Sequence, residues 1–406
     1  MLHWEDIFAT RSSRMKASEI RELLKLLDRP DIISFAGGIP DPALFPDQDF
    51  KAAYADIFSG SAVNAALQYS VSEGYKPLRE WIAGQMRKLD VACSADNVFI
   101  VSGSQQRLDY LGKLFLSPGD TALVTWPTYL GALQAFNAYE PNYDQLTLNG
   151  NRTPEGYRQT AKEAGGKVKF AYLSADFSNP TGETVDRAGR EKLIDLAEEL
   201  DIAIIEDAAY QSLRYDGEAI PPILALELAR KGGDINATRT IYCGSFSKTL
   251  APGLRVGFVV ANSDVTRKLV LMKQAADLHS STINQMAIAH VAERGFDAQV
   301  KKIKAAYSQR RDAMLAALAK YMPDGVNWTR PEGGMFIWVT LPKGMDGASL
   351  LAKAIERKKV AFVPGKAFHA DGSGANTLRI SFSCADEKTI EEGISRLGAL
   401  IGEELA

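Results

Sequence analysis

Short apolar runs alternate with segments of helical periodicity over the middle of the chain, from about residue 95 to residue 260. Runs rich in β-branched residues and separated by helices are typical of parallel strands that are buried on both faces. Gln105–Leu116 and Arg187–Leu200 have the period of helices. The pattern therefore predicts an α/β unit with a mostly parallel sheet. Its predicted strands are Val98–Val101, Ala122–Val124, Lys169–Leu173, Ile202–Ile205, Thr240–Cys243 and Val256–Val260.

The pattern of the last third of the chain is different. A long helix is predicted over roughly Phe296–Tyr321, and a further helix is predicted within Gly347–Lys358. Met335–Val339 and Leu378–Phe382 have the composition of strands. Helices and strands that do not alternate regularly favour a smaller α+β domain.

The beginning of the chain is expected to join that smaller domain. Ala17–Leu27 has an amphipathic helical pattern with Ser18 as a plausible N-cap, and the apolar run Ile32–Pro40 is stopped by glycines. A length of 406 residues suggests two domains. We expect a large domain at residues 49–290 and a small domain made of residues 14–48 and 291–406.

The charge balance argues against a nucleic-acid-binding protein. The chain has 47 Lys and Arg residues against 50 Asp and Glu residues, a net charge of -3, whereas nucleic-acid binders carry a basic surplus. The first ten residues contain Glu5 and Asp6, and no apolar stretch approaches the ~20 residues of a membrane span. We therefore expect a cytoplasmic protein with neither nucleic acid nor membrane as a partner.

The cysteines and histidines predict neither a disulfide framework nor a metal site. Three cysteines, an odd number, lie far apart, which is typical of free thiols in a reducing compartment. The four histidines lack the spacing of metal ligands, and zinc needs three or four converging ligands. We expect no bound metal.

The segment from Ser245 to Gly257, SFSKTLAPGLRVG, carries the most chemical information in the chain. It follows a predicted strand, and Lys248 lies between two hydroxyl residues, seven positions before Arg255. Hydroxyls and a guanidinium together can hold a phosphate dianion. A lysine beside such a cradle, at a strand end, is the arrangement that a Schiff base with pyridoxal 5'-phosphate requires. A lone lysine is otherwise usually a surface charge.

A second element of the predicted site is the apolar strand that ends in Glu206 and Asp207. Ligands of open α/β sheets bind at the carboxyl ends of strands, so one of these acids should face the site. A buried carboxylate needs a partner, and a protonated pyridine nitrogen would provide one. Tyr210 lies three residues further on, within reach of the same ring. Without the lysine segment, a solvated loop acid would be the better interpretation.

Three further segments contribute polar or aromatic groups near strand ends. Asn179, in Asn-Pro-Thr-Gly, could donate a hydrogen bond to the phenolate oxygen of a cofactor, although the segment alone predicts only a turn. Ser104 and Gln105 follow Gly103 at a predicted helix start, where free N–H groups bind phosphate or a simple N-cap forms. Tyr129 follows Trp-Pro-Thr and could stack on a ring face.

Arg379 lies in the predicted strand Leu378–Phe382, where a charged residue is unusual. Such a residue needs an anionic partner, and a substrate carboxylate held by both guanidinium nitrogens would serve. A structural ion pair is the alternative.

Taken together, these motifs resemble the fold-type I pyridoxal-phosphate-dependent aminotransferases of class I/II. Within them the chain is similar to the group that contains 2-aminoadipate and kynurenine aminotransferases and the effector domains of MocR-type regulators. The resemblance extends from about residue 14 to the C-terminus and depends on the order of the motifs. It implies a large domain with a mostly parallel seven-stranded sheet, a smaller α+β domain, and a homodimer with shared active sites.

The resemblance also implies roles for individual residues. Lys248 would carry the cofactor and move the proton between the substrate α-carbon and the cofactor, and Asp207 would pair with the pyridine nitrogen. Asn179 and Tyr210 would contact the ring oxygen, and Tyr69 would reach the phosphate of the neighbouring subunit. The implied phosphate-binding residues are Ser104, Gln105, Ser245, Ser247 and Arg255. The implied substrate-binding residues are Arg379, Gly38 and Asn179, of which Arg379 would hold the α-carboxylate with help from the backbone at Gly38.

The chain departs from the family pattern at three positions. Arg107 stands after Gly-Ser-Gln-Gln where a small residue is common, Leu108 follows it, and Ser70 follows Tyr69 where glycine is usual. We expect these changes to affect loop packing and specificity without removing a catalytic group.

Two other functions remain compatible with the same cofactor site. A lyase or decarboxylase would differ only in the orientation of the bond that breaks, and Arg379 favours amino transfer because it fixes the α-carboxylate. A non-catalytic amino-acid sensor is the other alternative, and we expect no DNA-binding segment before Ala17. A nicotinamide enzyme is not favoured, because no GxGxxG follows a strand. The sequence does not choose among aromatic, branched, 2-aminoadipate-like and small amino acids.

Overall fold

The computed structural model describes residues 3–15, 31–148, 150 and 152–406. The predicted helix Ala17–Leu27 and its predicted cap Ser18 lie outside the described residues. The strands are β1 (Ile33–Ser34), β2 (Val98–Val101), β3 (Thr121–Val124), β4 (Asn142–Gln145), β5 (Val168–Leu173), β6 (Ala203–Asp207), β7 (Thr240–Ser245), β8 (Gly257–Val260), β9 (Asn327–Trp328), β10 (Phe336–Thr340), β11 (Val360–Ala361), β12 (Val363–Pro364) and β13 (Thr377–Ser381).

Helices cover the sheets and connect them. The α-helices of the described residues are α1 (Asp47–Ser59), α2 (Val63–Leu67), α3 (Lys76–Arg87), α4 (Ser104–Phe115), α5 (Leu130–Asn137), α6 (Pro154–Glu163), α7 (Arg187–Leu200), α8 (Ile223–Arg230), α9 (Ser263–Ala276), α10 (Thr282–Tyr321), α11 (Gly347–Lys353) and α12 (Glu387–Leu405). A π-helical turn, Ala354–Lys358, continues α11.

Seven strands form the large sheet in the order β2-β8-β7-β6-β5-β3-β4. All neighbours are parallel except β8, which runs antiparallel to both β2 and β7. Every residue of β2 and β3 is buried, as expected for strands with helices on both faces. The predicted α/β class with a mostly parallel seven-stranded sheet is confirmed.

Local signals set the helix starts around this sheet. The carboxylate of Asp186 accepts the backbone N–H of Gly189 at 2.7 Å, which fixes the start of α7 at the predicted residue. Asn262 does the same for α9 by accepting the N–H of Val265 at 2.9 Å. Caps of this kind each stabilise a helix by about 1 kcal/mol. They fix the residues at which α7 and α9 begin.

The smaller sheet is antiparallel and has the order β12-β13-β10-β9. Its central strand β13 places Arg379 opposite Trp338 of β10 and Val363 of β12. Strand β1 pairs in parallel with β11, so the segment that begins at Ile33 packs beside the last part of the chain. The two strands predicted after residue 290 are confirmed within one residue at each end.

The 40-residue helix α10 is shared by two hydrophobic cores. Its first turns, including Met286 and Ile288, pack with β2 and β8, whereas Tyr307 and Leu318 pack with the small sheet. The predicted start at Phe296 is wrong, because the helix begins at Thr282. Its first eleven residues are buried on most sides and so lack amphipathic periodicity.

Within the described ranges, no helix is both long and apolar enough to cross a membrane. The three thiols are unpaired: Cys243 is buried, Cys93 is partly buried and Cys384 is exposed.

Candidate active site

The candidate site lies at the edge of the large sheet where β5, β6 and β7 end. These strands are parallel, so their carboxyl ends meet at one edge. Side chains alternate along β6, which separates its two terminal acids. Glu206 accepts the N–H groups of Ile223 and Leu224 at 2.8 and 3.1 Å, at the start of α8, and burial raises its pKa to about 7. Asp207 is therefore the acid that faces the site.

Asp207 is buried and already has three donors from the protein. Its Oδ1 atom forms an ion pair with Nη2 of Arg107 and accepts the backbone N–H of Ala209 at 3.3 Å. Its Oδ2 atom accepts the hydroxyl of Tyr172 at 3.0 Å. A carboxylate has about four acceptor positions, so one remains open on Oδ2.

Lys248 reaches into the same cleft from the loop that follows β7. Its Nζ atom donates to the backbone oxygen of Gly38 at 2.8 Å and lies 5.8 Å from the centre of the Tyr210 ring. Burial lowers the pKa of Lys248 to about 8, and the charge of Arg379 contributes in the same direction. An amine with such a pKa is partly neutral near pH 7 and can act as a nucleophile or a base.

Arg379 presents a buried positive charge that the described residues leave without a carboxylate partner. Its Nη1 atom donates to Oδ1 of Asn179 at 2.8 Å, and Nη2 donates to the backbone oxygen of Ala36 at 2.9 Å. Its Nε atom has no acceptor among the described residues. The rings of Phe336 and Phe368 lie 4.3 and 5.2 Å from the guanidinium carbon. Burial lowers the pKa of Arg379 to about 10, so the group stays charged at neutral pH.

Asn179 links the arginine to the predicted ring contacts. Its Nδ2 atom lies 3.5 Å from the hydroxyl of Tyr210, and its Oδ1 atom accepts from Arg379. Burial raises the pKa of Tyr210, so its hydroxyl remains protonated and can donate. The predicted substrate-binding residue Gly38 is close as well, because a Cβ atom added to it would lie 3.6 Å from Nη2 of Arg379.

The predicted phosphate-binding residues surround the start of α4. Gly103 has a φ of 85°, and a Cβ atom at this position would lie 2.2 Å from Nη2 of Arg255. The guanidinium of Arg255 therefore lies directly against the backbone that precedes the free N–H groups of Ser104 and Gln105. Such N–H groups and an arginine form an anion site. The side chain of Gln105 donates to the backbone oxygen of Gly131 at 2.8 Å instead.

Ser245 is the last residue of β7, and Ser247 lies in the loop that follows it. The hydroxyl of Ser245 accepts the backbone N–H of Ser247 at 3.1 Å, so its proton is free to be donated. Ser245 pairs with Gly257, the first residue of β8, and Arg255 lies just before that strand.

Tyr129 is the residue before α5, and its ring folds back over the start of that helix. Its ring occupies the space where a Cβ atom of Gly131 would lie, at 2.5 Å. Burial raises the pKa of Tyr129, and Asp207 adds to that effect whereas Arg107 and Arg379 oppose it. The charges of Asp207, Arg107 and Arg379 therefore act on the Tyr129 hydroxyl, while stacking of its ring on a cofactor stays a prediction.

Tyr69 is the one predicted site residue that lies apart from the others in this chain. Its side chain is 78 % exposed, and its ring contacts the edge of His279 at a centroid distance of 5.9 Å. The prediction that Tyr69 acts in a neighbouring subunit stays a prediction.

Sequence reasoning missed two residues that contact Asp207. Arg107 was predicted to affect loop packing and specificity, yet its guanidinium is fully buried beside Asp207. Tyr172 lies inside the predicted strand Lys169–Leu173. A signal existed for Tyr172, because a tyrosine in a buried strand must find a partner for its hydroxyl. The signal for Arg107 was its departure from the family pattern.

Comparisons with known proteins agree along the whole chain. A family model described as aminotransferase class I and II matches residues 31–397. The chain is 44% identical over 411 residues to aromatic-amino-acid aminotransferase 1 of Thermococcus litoralis, covering 100% of this chain and 96% of that protein. It is 42% identical over 408 residues to 2-aminoadipate transaminase of Thermus thermophilus, covering 100% of this chain and 99% of that protein.

A solved structure shows the same fold with a ligand. The crystal structure of alpha-aminoadipate aminotransferase from Thermus thermophilus, in complex with N-(5'-phosphopyridoxyl)-L-leucine, superposes with a TM-score of 0.88. The sequence identity is 39%, and the alignment covers 100% of this chain and 99% of that chain. That ligand joins a pyridoxyl phosphate to an amino acid.

Proposed function

This chain belongs to the aminotransferase class I and II family, and from that premise we propose that it moves an amino group between an L-amino acid and a 2-oxo acid. The proposed cofactor is pyridoxal 5'-phosphate, which the family and the phosphopyridoxyl ligand of the Thermus relative support. The observation that carries the proposal is the convergence of Lys248 and Arg379 on one cleft. A reactive amine and an uncompensated guanidinium are the two groups that amino transfer from a carboxylate-bearing substrate needs.

The residues of the cleft fit this cofactor. Arg255 and the start of α4 would bind its phosphate, because they form an anion site over the bare backbone of Gly103. Asp207 has one open acceptor position for the ring nitrogen, and Tyr129 would cover a ring face. Asn179 and Tyr210 would contact the ring oxygen. When bound, pyridoxal 5'-phosphate supplies an aldehyde carbon that takes up the amino group and a ring that withdraws electrons from the substrate α-carbon.

Lys248 would serve first as the attachment point and then as the base. Its Nζ atom is held by the backbone oxygen of Gly38, which fixes the amine inside the cleft. The lowered pKa leaves a neutral fraction that can accept a proton from the substrate α-carbon. The same atom would then deliver that proton to the cofactor carbon that receives the amino group, so one residue would perform both transfers.

Arg379 would hold the substrate α-carboxylate with the nitrogens that face the cleft. Asn179 and Ala36 fix the guanidinium from one side, and the rings of Phe336 and Phe368 limit its movement. A carboxylate would add the anionic partner that the buried charge lacks. A carboxylate held by Arg379 is not positioned to leave, so the bond between it and the α-carbon would not be the one that breaks. This favours amino transfer over decarboxylation.

The lowered pKa of Lys248 predicts how the protein captures its cofactor. Only the neutral amine attacks an aldehyde, so the rate of covalent capture should rise about tenfold per pH unit below pH 8 and level off above it. Stopped-flow absorbance of the apoprotein mixed with pyridoxal 5'-phosphate measures this rate. Free N-acetyl-lysine is the control, since its ordinary pKa should make its rate rise to above pH 10. A protein rate that keeps rising as the control does would contradict the lowered pKa.

The test of the function is a spectrophotometric titration of the cofactor-loaded protein. The panel contains L-phenylalanine, L-2-aminoadipate, L-leucine and L-alanine, and each titration is followed by 2-oxoglutarate. We expect at least one amino acid to bleach the visible band and the oxo acid to restore it. The amino acid that bleaches at the lowest concentration identifies the substrate class. Bleaching without recovery would favour a lyase, and no bleaching by any member would favour an amino-acid sensor.

We also propose that the chain acts as a homodimer. The ring of Tyr69 is exposed beside His279, and its hydroxyl forms no hydrogen bond within the described residues, so it is available to a second copy. Further large apolar side chains are exposed in the described residues, and those among them that form a contiguous patch would be covered by a second copy. They include Trp4, Ile7, Phe8, Leu67, Val71 and Leu278.

A further inference from the structure

Arg107 is a buried cation whose position nothing in the proposed reaction yet explains. Its side chain is 0 % exposed, in the first turns of α4. Nη1 donates to the backbone oxygen of Gly244 in β7 at 2.7 Å, and Nη2 pairs with Oδ1 of Asp207 in β6. Two anchors on neighbouring strands prevent the guanidinium from turning away from the carboxylate.

The ion pair reduces the negative charge that the Asp207 carboxylate presents to a ring nitrogen. Arg107 and the N–H of Ala209 occupy Oδ1, and the hydroxyl of Tyr172 takes one position on Oδ2. The open position on Oδ2 lets a ring nitrogen bind, yet the carboxylate that it meets is already neutralised by a guanidinium. A neutral pair attracts a protonated nitrogen less strongly than a lone carboxylate does.

Other titratable or charged groups near Asp207 do not replace this effect. Tyr129 and Tyr172 are neutral because burial and Asp207 raise their pKa values, and burial likewise raises the pKa of Cys243 to about 12. Lys248 and Arg379 carry positive charge elsewhere in the cleft, without a hydrogen bond to Asp207 among the described residues. Arg107 is therefore the cation that shares the Asp207 carboxylate.

We propose that Arg107 is a positioning residue that fixes the Asp207 carboxylate and shares its negative charge with the ring nitrogen of the cofactor, so that this nitrogen releases its proton more readily than beside an unshared carboxylate. The inference rests on the proposed function, because it requires pyridoxal 5'-phosphate in the cleft. Arg107 also gives the buried Asp207 carboxylate a charged partner in the protein itself, and a buried carboxylate without a partner is unfavourable.

The test measures the proton on the ring nitrogen rather than activity. Heteronuclear NMR of bound pyridoxal 5'-phosphate, isotopically labelled at the ring nitrogen, is recorded as a function of pH for the wild type and its variants. Arg107→Met keeps most of the volume and removes the charge, and Arg107→Ala removes the charge and admits water. Either variant should move the titration midpoint of the nitrogen upward by about 1 to 3 pH units. Whichever of the two folds and binds the cofactor decides the result.

Two control variants separate charge from hydrogen bonding. Arg107→Lys keeps a positive charge and should titrate close to the wild type. Tyr172→Phe removes a neutral donor from Asp207 and should shift the midpoint less than Arg107→Met does. The inference is overturned if the ring nitrogen in Arg107→Met or Arg107→Ala has the same titration midpoint as in the wild type. It is also overturned if Tyr172→Phe shifts this midpoint as far as those variants do. A wild-type nitrogen that stays protonated at every pH where the protein is folded would also overturn it.

The same samples separate this inference from the proposed function. A wild-type protein that fails to bind pyridoxal 5'-phosphate, or binds it without amino transfer, contradicts the proposed function itself. A wild-type protein that does both, with variants whose ring nitrogens titrate alike, contradicts only the role of Arg107.

Discussion

The Lys248→Ala variant is expected to lose amino transfer by roughly 10³-fold or more, because one change removes both the attachment point and the base. The visible band of the lysine-bound cofactor should disappear, although the cofactor can still bind through the groups around α4. Single-turnover absorbance with the best amino acid of the panel measures the loss. Turnover within tenfold of the wild type would refute the assigned role.

Stability separates this effect from misfolding. Burial lowers the pKa of Lys248 from 10.5 to about 8, so this lysine destabilises the fold progressively as the pH falls from about 10.5 to about 8, and the destabilisation is fully present and constant below that range. Removing the side chain should therefore not lower the thermal midpoint at neutral pH. Lys192→Ala is the matched control, since Lys192 is exposed on α7. It should retain both the visible band and full activity.

The Arg379→Lys variant is expected to lower kcat/KM for amino acids by about 10²- to 10³-fold. A lysine keeps the charge but cannot reproduce the planar arrangement of donors, and losing one partner of a buried charge pair costs about 2 to 5 kcal/mol. Most of the change should lie in KM, because the carboxylate is bound in the ground state as well as in the transition state. Steady-state kinetics with the amino acid identified by the panel measures it.

A substrate without a carboxylate shows whether Arg379 acts on that group. The amine that corresponds to the best amino acid should react equally slowly with the wild type and with Arg379→Lys. Arg311→Lys is the matched control, because Arg311 is also buried, is paired with Asp216 and lies on α10. If Arg379→Lys lowered the reaction rates of the amine and of the amino acid equally, Arg379 would stabilise the fold rather than bind the substrate carboxylate.

The sequence predicted the interior of the large sheet better than its border. The run Val98–Val101 is apolar at every position, and the structure has the same bounds. Strand β4 was missed because Asn142–Gln145 is largely polar and lies at the edge of the sheet, where burial does not dictate apolar residues. The start of α10 was missed for the opposite reason, since residues buried on all sides have no polar face to set a period.

The site residues that lie at the ends of strands could be predicted from the sequence. The residues that contact them in the folded protein could not. Lys248 and Asp207 are marked by position, at the ends of apolar strands. The contact between Arg107 and Asp207 joins residues 100 positions apart, and it depends on how α4 packs against β6. A guanidinium on a helix is ordinarily solvated, so only the three-dimensional structure reveals that this one is buried.

The shared helix α10 has a consequence for how the protein unfolds. At 40 residues it is about 60 Å long, and its two halves belong to different hydrophobic cores. The predicted boundary at residue 290 lies inside this continuous helix. Unfolding of one core would therefore break helical hydrogen bonds next to the turns that pack in the other core. We therefore expect the two cores to unfold together, so that a chain with two sheets melts in one thermal transition.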